Sequence, residues 1–265
     1  MKTCSNCGAS NADAAKFCNE CGTALAPVEL VKSMVSPDAA PKAVDPASLA
    51  RSIAAKAEAL QGRRRADIMF VLDCTGSMQG EIDAIKDTIT AFADTIESEG
   101  VRVRVGLIEF RDRLIGEEPR VLTFAGQPFT NDPAAFRREV SALQATGGGD
   151  APESSLDAVM LALRQPFAPD ANKVIVLVTD APPHVPDKDT QSVEEVVQAI
   201  RGAGVQQFYL IVRTQDPQSQ VYLKLLEGTR GMAFELGTGD DFRSRAEDFK
   251  KTLMALGKTI SAGTR

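Results

Sequence analysis

Apolar and polar residues follow two different periods along most of the chain, and the change of period predicts alternating strands and helices. Apolar runs at 68–72, 172–180 and 205–212 are typical of strands that are buried on both faces. Between such runs, apolar residues recur at helical spacing, as they do from Ile82 to Ile96. The sequence therefore predicts an α/β fold with a doubly wound, mostly parallel sheet that carries helices on both faces.

The same periodicities predict the positions of the remaining strands and helices. Strands at 101–110 and 120–125 are expected to pair as an antiparallel edge hairpin across a turn at 116–119. Helices are expected at 76–98, 131–144, 152–163, 191–202 and 217–227. A short strand at 232–236 and a terminal helix from Asp240 complete the predicted domain.

Four of the five cysteines lie near the amino end as two CxxC pairs, each followed by glycine: Cys4 with Cys7, and Cys18 with Cys21. Two residues between thiols let both sulfurs of a tight turn face one ion. Two such turns supply the four sulfurs that Zn²⁺ prefers, with no position left open for catalysis. Two disulfides are the alternative, which an intracellular location disfavours. The segment resembles a short zinc-ribbon module.

Composition changes abruptly after this segment. Residues 23–45 contain Pro27, Pro37 and Pro41 and show no periodicity, which predicts a flexible linker. Asp45 and Pro46 then form a helix start. The predicted domains are a zinc ribbon at 1–22, a linker at 23–45, a connecting helix at 46–65 and the α/β domain at 66–265.

Charge and hydropathy limit the classes of partner. The net charge is −6 and the sequence pI is near 5.0, which disfavours nucleic acid as a partner. The sequence contains neither an apolar run of about 18 residues, as a membrane helix requires, nor the apolar core of a signal peptide. These features predict a cytoplasmic protein without a membrane span.

Small oxygen-bearing residues follow the predicted strands. Asp73, Thr75 and Ser77 come directly after the strand at 68–72, Asp180 ends the strand at 172–180, and Asp150 ends a glycine-rich loop. Because ligands of doubly wound sheets bind beyond the carboxyl ends of the strands, these residues are expected to meet in one crevice. Ser77 could instead cap the next helix, but capping leaves the three carboxylates without compensating charge.

Two known families share parts of this pattern. The run Asp73-Cys-Thr-Gly-Ser77 resembles the Asp-Lys-Thr-Gly-Thr of aspartyl-phosphate enzymes, in which Asp73 would be the nucleophile of a Mg²⁺-dependent phosphohydrolase or phosphotransferase. The ordered set "VLDCTGSM", "GGGDAPES" and "LVTDAPPH" resembles the von Willebrand factor A domain over about residues 66–261. We favour the second resemblance because three spaced motifs agree in order and in structural context.

The favoured resemblance implies a function as well as a fold. It implies a metal-ion-dependent adhesion site for Mg²⁺ or Mn²⁺, formed by Asp73, Thr75, Ser77, Asp150 and Asp180. Asp150 stands where the family pattern has threonine, and Thr146 is the alternative residue for that position. It further implies a non-enzymatic protein-interaction module in an intracellular bacterial assembly or signalling system. Candidate partners are an AAA-ATPase and a kinase/phosphatase system.

Two further side chains lie close to the predicted site. Cys74, beside Asp73, is expected to be a packed small side chain. His184, the only histidine, follows Asp180 on a loop and is expected to be exposed to solvent.

Overall fold

The computed structural model describes residues 1–12, 15, 17–21, 25, 64–149, 151–238 and 241–264. The chain divides into two compact units, Met1–Arg51 and Ser52–Arg265. The predicted linker at 23–45, except for residue 25, lies outside the described residues, as do residues 46–63 of the helix predicted at 46–65. Arg65, which we expected at the end of that helix, is the first residue of a strand.

The first unit is a small turn structure built around its cysteines. Strands β1 (Lys2–Thr3) and β2 (Ser10–Asn11) pair antiparallel. The turn between them closes through a 2.9 Å hydrogen bond from the Gly8 amide to the Cys4 carbonyl, with Gly8 at a φ of 74°. Glycine tolerates this left-handed conformation without strain.

The second unit contains a six-stranded sheet in the order β5-β4-β3-β6-β7-β8. Its strands are β3 (Arg65–Asp73), β4 (Arg102–Phe110), β5 (Arg120–Val121), β6 (Asn172–Thr179), β7 (Gln207–Val212) and β8 (Ala233–Glu235). All neighbours pair parallel except β4 and β5, which form the expected antiparallel edge. The sheet is therefore mostly parallel, as the sequence predicts.

Helices cover both faces of this sheet. The α-helices are α1 (Gln79–Ser98), α2 (Pro133–Ser141), α3 (Ser155–Leu163), α4 (Val193–Gly202) and α5 (Phe242–Gly263). Buried apolar residues of α1, α2 and α5 pack in one core cluster, and those of α3 and α4 pack in a second. The doubly wound architecture is confirmed.

The strand order places a topological switch between β3 and β6. From β3 the chain first adds β4 and β5 on one side, then returns to add β6, β7 and β8 on the other. Neighbouring crossovers diverge at this point, which opens a crevice beyond the carboxyl ends of β3 and β6. Asp73 and Asp180 lie at those two ends.

Some elements differ from the sequence prediction. The segment Ser219–Leu226, expected to be α-helical, is a 3-10 helix. Helix α3 begins at Ser155 instead of residue 152, so Glu153 belongs to the preceding loop. A one-turn 3-10 helix, Arg113–Ile115, occupies the start of the β4–β5 connection and ends at Gly116, which has a φ of 92°.

Candidate functional site

Asp73 is fixed at the carboxyl end of β3 by donors on two sides. It is fully buried, and its Oδ1 accepts hydrogen bonds from the Thr75 amide at 2.9 Å and the Thr75 hydroxyl at 2.7 Å. Its Oδ2 accepts a 2.7 Å hydrogen bond from the Thr179 hydroxyl. Burial raises the pKa of Asp73 to about 6 although these hydrogen bonds lower it.

Ser77 connects this strand end to the neighbouring one. Its hydroxyl lies 3.3 Å from the Thr75 hydroxyl and donates a 2.9 Å hydrogen bond to Asp180 Oδ1. No side chain caps the helical turn that Ser77 occupies, and α1 likewise begins without a side-chain cap. The capping interpretation of Ser77 is therefore wrong, since its hydroxyl is directed to a carboxylate.

Arg213, which immediately follows β7, supplies a cation on the far side of Asp180. Its Nη2 donates a 2.9 Å hydrogen bond to Asp180 Oδ2, so the two carboxylate oxygens of Asp180 have different partners. The Arg213 Nε is buried and has no hydrogen-bond partner in the described structure. Our sequence analysis missed Arg213, because nothing local in the sequence distinguishes it from an ordinary strand-end arginine.

Glu153 is the second site residue that the sequence analysis missed. It is 4% exposed, and its Oε2 is buried without a hydrogen-bond partner among the described residues. Its pKa is raised to about 8. Burial is the largest cause, and the negative charges of nearby carboxylates, including Asp73 and Asp180, act in the same direction. Glu153 follows Asp150 by only three residues, and this spacing could have identified it as a site residue. We missed it because the sequence analysis placed Glu153 in the helix predicted from residue 152.

The glycine-rich loop lies directly over these side chains. Gly148 has a φ of 69°, and a Cβ at this position would lie 2.7 Å from both Glu153 Oε1 and Thr75 Cγ2. The loop is held by a 2.9 Å hydrogen bond from the Gly148 amide to Glu117 Oε2. Glycine is required here both by the backbone conformation and by the close approach.

These groups line one open cleft of about 420 Å³. Its described lining consists of Thr75, Gly76, Ser77, Gly147, Gly148, Gly149, Ala151, Glu153, Asp180, Ala181 and Arg213. The structure thus brings Thr75, Ser77 and Asp180 together, with Asp73 hydrogen-bonded to Thr75 behind them. Asp150 lies outside the described residues, and its neighbours Gly149 and Ala151 both line the cleft.

Thr146, the alternative to Asp150, is exposed and does not line the cleft. Its amide donates a 3.0 Å hydrogen bond to the Cys74 carbonyl, and its carbonyl accepts a 2.7 Å hydrogen bond from Arg111 Nε. In this structure Thr146 anchors the backbone that leads into the glycine loop.

The structure confirms the expectation for Cys74 but not the one for His184, the two remaining side chains near the site. Cys74 is fully buried in the core, as expected, and burial raises the pKa of its thiol far above the usual value. The expectation that His184 is exposed is wrong, because its side chain is only 17% exposed. Its Nε2 lies 3.2 Å from Oδ1 of the buried Asp112. The same oxygen accepts a hydrogen bond from the Leu114 amide. A contact of this kind cannot be read from a lone loop histidine in the sequence.

The four amino-terminal thiols converge on one point. The Sγ atoms of Cys4 and Cys21 are 3.6 Å apart, as are those of Cys7 and Cys18, and all four lie within 4.8 Å of one another. These Sγ separations are far longer than the roughly 2.05 Å of an S–S bond, and no disulfide joins the cysteines in the described part of the chain, so the disulfide alternative is wrong for this structure. Four thiols this close together suit zinc, which structural sites bind through four ligands.

Comparisons with known proteins agree with this geometry. A model of the von Willebrand factor A domain matches residues 67–236, and a model of a zinc-ribbon domain matches residues 3–25. A helix long and apolar enough to cross a membrane is not found in the described part of the chain.

Similar proteins include several with much longer chains. Human von Willebrand factor A domain-containing protein 7 is 35% identical over 51% of this chain, and the alpha-protein kinase vwkA of Dictyostelium discoideum is 29% identical over 48%. Mouse hemicentin-1 is 27% identical over 64%. The matches span only 14%, 20% and 3% of those relatives, respectively.

A solved structure supports the fold. The open conformation of the pilus adhesin SpaC from Lactobacillus rhamnosus GG superimposes with a TM-score of 0.50. It is 15% identical, and the match covers 75% of this chain and 30% of the adhesin. Because the domain model spans well over half of the chain, this protein belongs to the von Willebrand factor A domain family, and it also carries an amino-terminal zinc-ribbon domain.

Proposed function

We propose that this protein is a metal-dependent protein-interaction module that binds Mg²⁺ or Mn²⁺ in the cleft described above. The observation that carries the proposal is the buried Glu153 carboxylate, which has no hydrogen-bond partner for Oε2 and lies in the same cleft as Asp180. A buried carboxylate without a partner costs free energy unless a cation compensates it. Carboxylate and hydroxyl oxygens are the donors that hard divalent cations prefer.

The charge balance of the cleft supports the same proposal. When Asp73, Glu153 and Asp180 are ionised they carry three negative charges, and Arg213 compensates one of them. A divalent cation would balance the remaining two. In the proposed site Thr75 and Ser77 supply hydroxyl oxygens, while the carboxylates bind directly or through water. The proposed role of Asp150 as a further carboxylate stays a prediction.

A calorimetric titration with Mg²⁺ tests this proposal. We expect Ser77→Ala and Glu153→Gln to weaken Mg²⁺ binding by about 10- to 100-fold, the usual effect of removing a ligand or its support. Asp83→Asn is the matched control, because Asp83 is an exposed acid on α1 outside the cleft. Absence of saturable Mg²⁺ binding to the unaltered protein, or equal losses in all three variants, would refute the proposal.

Two observations favour an interaction module over a phosphohydrolase. Both carboxylate oxygens of Asp73 accept hydrogen bonds and the residue is fully buried, so a phosphoryl donor would have to displace Thr75 or Thr179. None of the described residues that line the cleft is a lysine. Incubation with acetyl phosphate is expected to leave no hydroxylamine-labile label. A label that disappears in Asp73→Asn would establish the enzymatic alternative instead.

For the amino-terminal unit we propose one structural Zn²⁺ bound by Cys4, Cys7, Cys18 and Cys21. The convergence of their four sulfurs supports this set. Metal analysis of the full chain is expected to give one zinc per protein, and Cys7→Ser is expected to lose it. The buried Cys74→Ser is the control and is expected to keep it. Retention of zinc in Cys7→Ser would exclude the four-thiol site.

Partner identity is proposed only as a class. Domains of this family commonly bind proteins, and we propose a protein partner here. The expected AAA-ATPase or kinase/phosphatase system, the bacterial setting and the cytoplasmic location stay predictions. The name of the kinase relative describes a protein of which only 20% is matched, so it does not assign kinase activity to this chain.

A further inference from the structure

Asn11 lies between the two cysteine turns of the first unit, residues 4–8 and 18–21, and is almost completely buried. It is the last residue of β2 and is 3% exposed. A side-chain amide carries two N–H donors and one carbonyl acceptor, and each of these groups costs free energy when it is buried without a partner. The partners of Asn11 therefore show which parts of the unit this residue holds together.

The side-chain amide of Asn11 has a partner for each of these groups. Its Nδ2 donates a 2.9 Å hydrogen bond to the Ala9 carbonyl and a second one, of 3.5 Å, to Cys18 Sγ. Its Oδ1 accepts a 2.9 Å hydrogen bond from the Asn19 amide. Because an oxygen must face the Asn19 N–H, the orientation of the side-chain amide is fixed, and its NH2 group is directed to the Cys18 sulfur.

These contacts join the two turns that carry the four thiols. The Ala9 carbonyl also accepts a 2.9 Å hydrogen bond from the Cys4 amide, so it closes the first turn. Cys18 and Asn19 belong to the second turn. Asn11 thus connects the turns through hydrogen bonds that form without a metal ion. A turn structure this small has little apolar core, so a connection of this kind lowers the cost of bringing the four sulfurs together.

The charge of a zinc-bound site gives the contact with Cys18 a second role. Four thiolates around one Zn²⁺ leave a net charge of −2. Cys7 and Cys21 are exposed, so water solvates their sulfurs, whereas Cys18 is one of the two buried cysteines of this unit. A buried thiolate needs a donor from the protein, and a hydrogen bond to a charged acceptor is stronger than one to a neutral acceptor. The Asn11 NH2 group supplies such a donor.

We propose that Asn11 is the positioning residue of the zinc site: it orders the two cysteine turns and donates a hydrogen bond to the Cys18 thiolate. This inference rests on the proposed zinc site. Asn11 does not contact the ion in this role, and it acts through the Cys18 sulfur. Donors placed behind a metal ligand in this way fix the direction of the ligand and tune the electron density that it gives to the metal.

Zinc competition titrations on the full chain test the proposal. The protein is stripped of metal under reducing conditions, and its zinc affinity is measured against a chromophoric chelator. We expect Asn11→Ala to weaken zinc binding by about 10- to 100-fold. Asn11→Asp keeps the size of the side chain and an oxygen for the Asn19 amide, but it places a carboxylate against the Cys18 thiolate. Its loss of affinity should therefore exceed that of the alanine variant.

Asn6 offers a matched comparison for Asn11. Its Nδ2 also donates to a thiol, Cys21 Sγ at 3.7 Å, but both residues are exposed. Water replaces a donor in such a position, so Asn6→Ala should weaken zinc binding by less than about threefold. The difference between the two alanine variants measures the effect of burial on the same kind of contact.

Cobalt substitution measures the contact with Cys18 itself. Co²⁺ bound by thiolates absorbs light through sulfur-to-cobalt charge transfer, so ions bound by carboxylates in the second unit do not contribute to the signal. A hydrogen bond to a sulfur lowers the energy of its electrons, which tunes the metal centre. At saturating Co²⁺, Asn11→Ala should therefore move the charge-transfer band to longer wavelength, and Asn6→Ala should move it less.

The outcomes separate this inference from the proposed zinc site. Three results would overturn the role of Asn11 and leave the four-thiol site standing: a loss of affinity in Asn11→Ala no larger than in Asn6→Ala, binding by Asn11→Asp that is as tight as that of Asn11→Ala, or an unmoved charge-transfer band. Absence of both zinc binding and the charge-transfer band in the unaltered protein would refute the zinc site itself.

Discussion

Two buried acids at opposite ends of the same sheet differ in what surrounds them. Asp67, near the start of β3, is 1% exposed and accepts hydrogen bonds from Arg104 Nε at 2.8 Å, from Arg104 Nη2 and from the Ala168 amide at 2.7 Å. Glu153, at the carboxyl end, is 4% exposed, and its buried Oε2 has no partner among the described residues. Burial is therefore common to both acids, and what distinguishes Asp67 from Glu153, the acid proposed to bind a cation, is the completeness of its contacts.

The environment of Asp67 is built for stability. The Arg104 guanidinium that it holds also lies 5.2 Å from the centre of the Phe129 ring. The Asp67 carboxylate thus holds the Arg104 guanidinium and the Ala168 amide in place, and Arg104 contacts the Phe129 ring. None of these three residues lines the cleft. At the opposite end of the sheet, Asp73 and Asp180 have hydrogen-bond partners for both oxygens, whereas Glu153 Oε2 has none among the described residues. This is the pattern we expect if a cation completes the contacts of Glu153.

The largest predicted effect concerns Asp67. We expect Asp67→Ala to lower the free energy of unfolding by about 3 kcal/mol, because it leaves Arg104 and the Ala168 amide without their shared acceptor. Chemical denaturation measures this loss. The control is Asp170→Ala, which removes an exposed acid paired with Arg65 and should cost less than about 1 kcal/mol. Equal losses in the two variants would contradict the distinction.

Glu153 should show the opposite sign in metal-free protein. Its folded pKa is about 8, above the usual 4.5, so the folded state binds the proton more tightly than the unfolded state. This contribution to stability is complete below about pH 4.5 and is lost as the pH rises through 8. Glu153→Gln should therefore raise the free energy of unfolding by about 2 kcal/mol at pH 8 and change it little at pH 5.

Thermal and chemical unfolding in EDTA at the two pH values check this prediction. Asp83→Asn is again the control, because it removes an exposed acid and should behave equally at both pH values. A uniform effect of Glu153→Gln at pH 5 and pH 8 would mean that the carboxylate is solvated in the metal-free protein.

The smallest predicted effect concerns Arg213. Replacing Arg213 with Met removes the internal cation beside Asp180, so the cleft becomes more negative and Mg²⁺ affinity should rise about fivefold. Unchanged or weaker Mg²⁺ binding in calorimetry would indicate that Arg213 supports the site through geometry instead of charge.

The sequence was sufficient to predict the cleft residues that lie at or just after the ends of strands. Asp73 and Asp180 are placed by parallel strands whose apolar runs are evident, and Thr75 and Ser77 follow within four residues of Asp73. The order of these motifs was enough to predict both the fold and their convergence.

The remaining cleft residues depend on information that local patterns do not carry. Glu153 reaches the cleft through a loop whose course depends on the left-handed Gly148 and on the delayed start of α3 at Ser155. Arg213 reaches it because β7 lies beside β6, a matter of strand order. His184 contacts Asp112 across 72 residues of sequence. Each of these contacts is set by tertiary structure, not by the periodicity of its own segment.

The most direct test of the central claim is a crystal structure of the full chain soaked in Mn²⁺, with data collected at a wavelength where manganese scatters anomalously. We predict one anomalous peak in the cleft, within about 2.5 Å of the Thr75 and Ser77 hydroxyl oxygens, with the Glu153 carboxylate turned to the ion directly or through one water. A cleft without a peak at saturating Mn²⁺, with Glu153 Oε2 still unpartnered, would contradict the claim that the incomplete pairing of Glu153 marks a cation site.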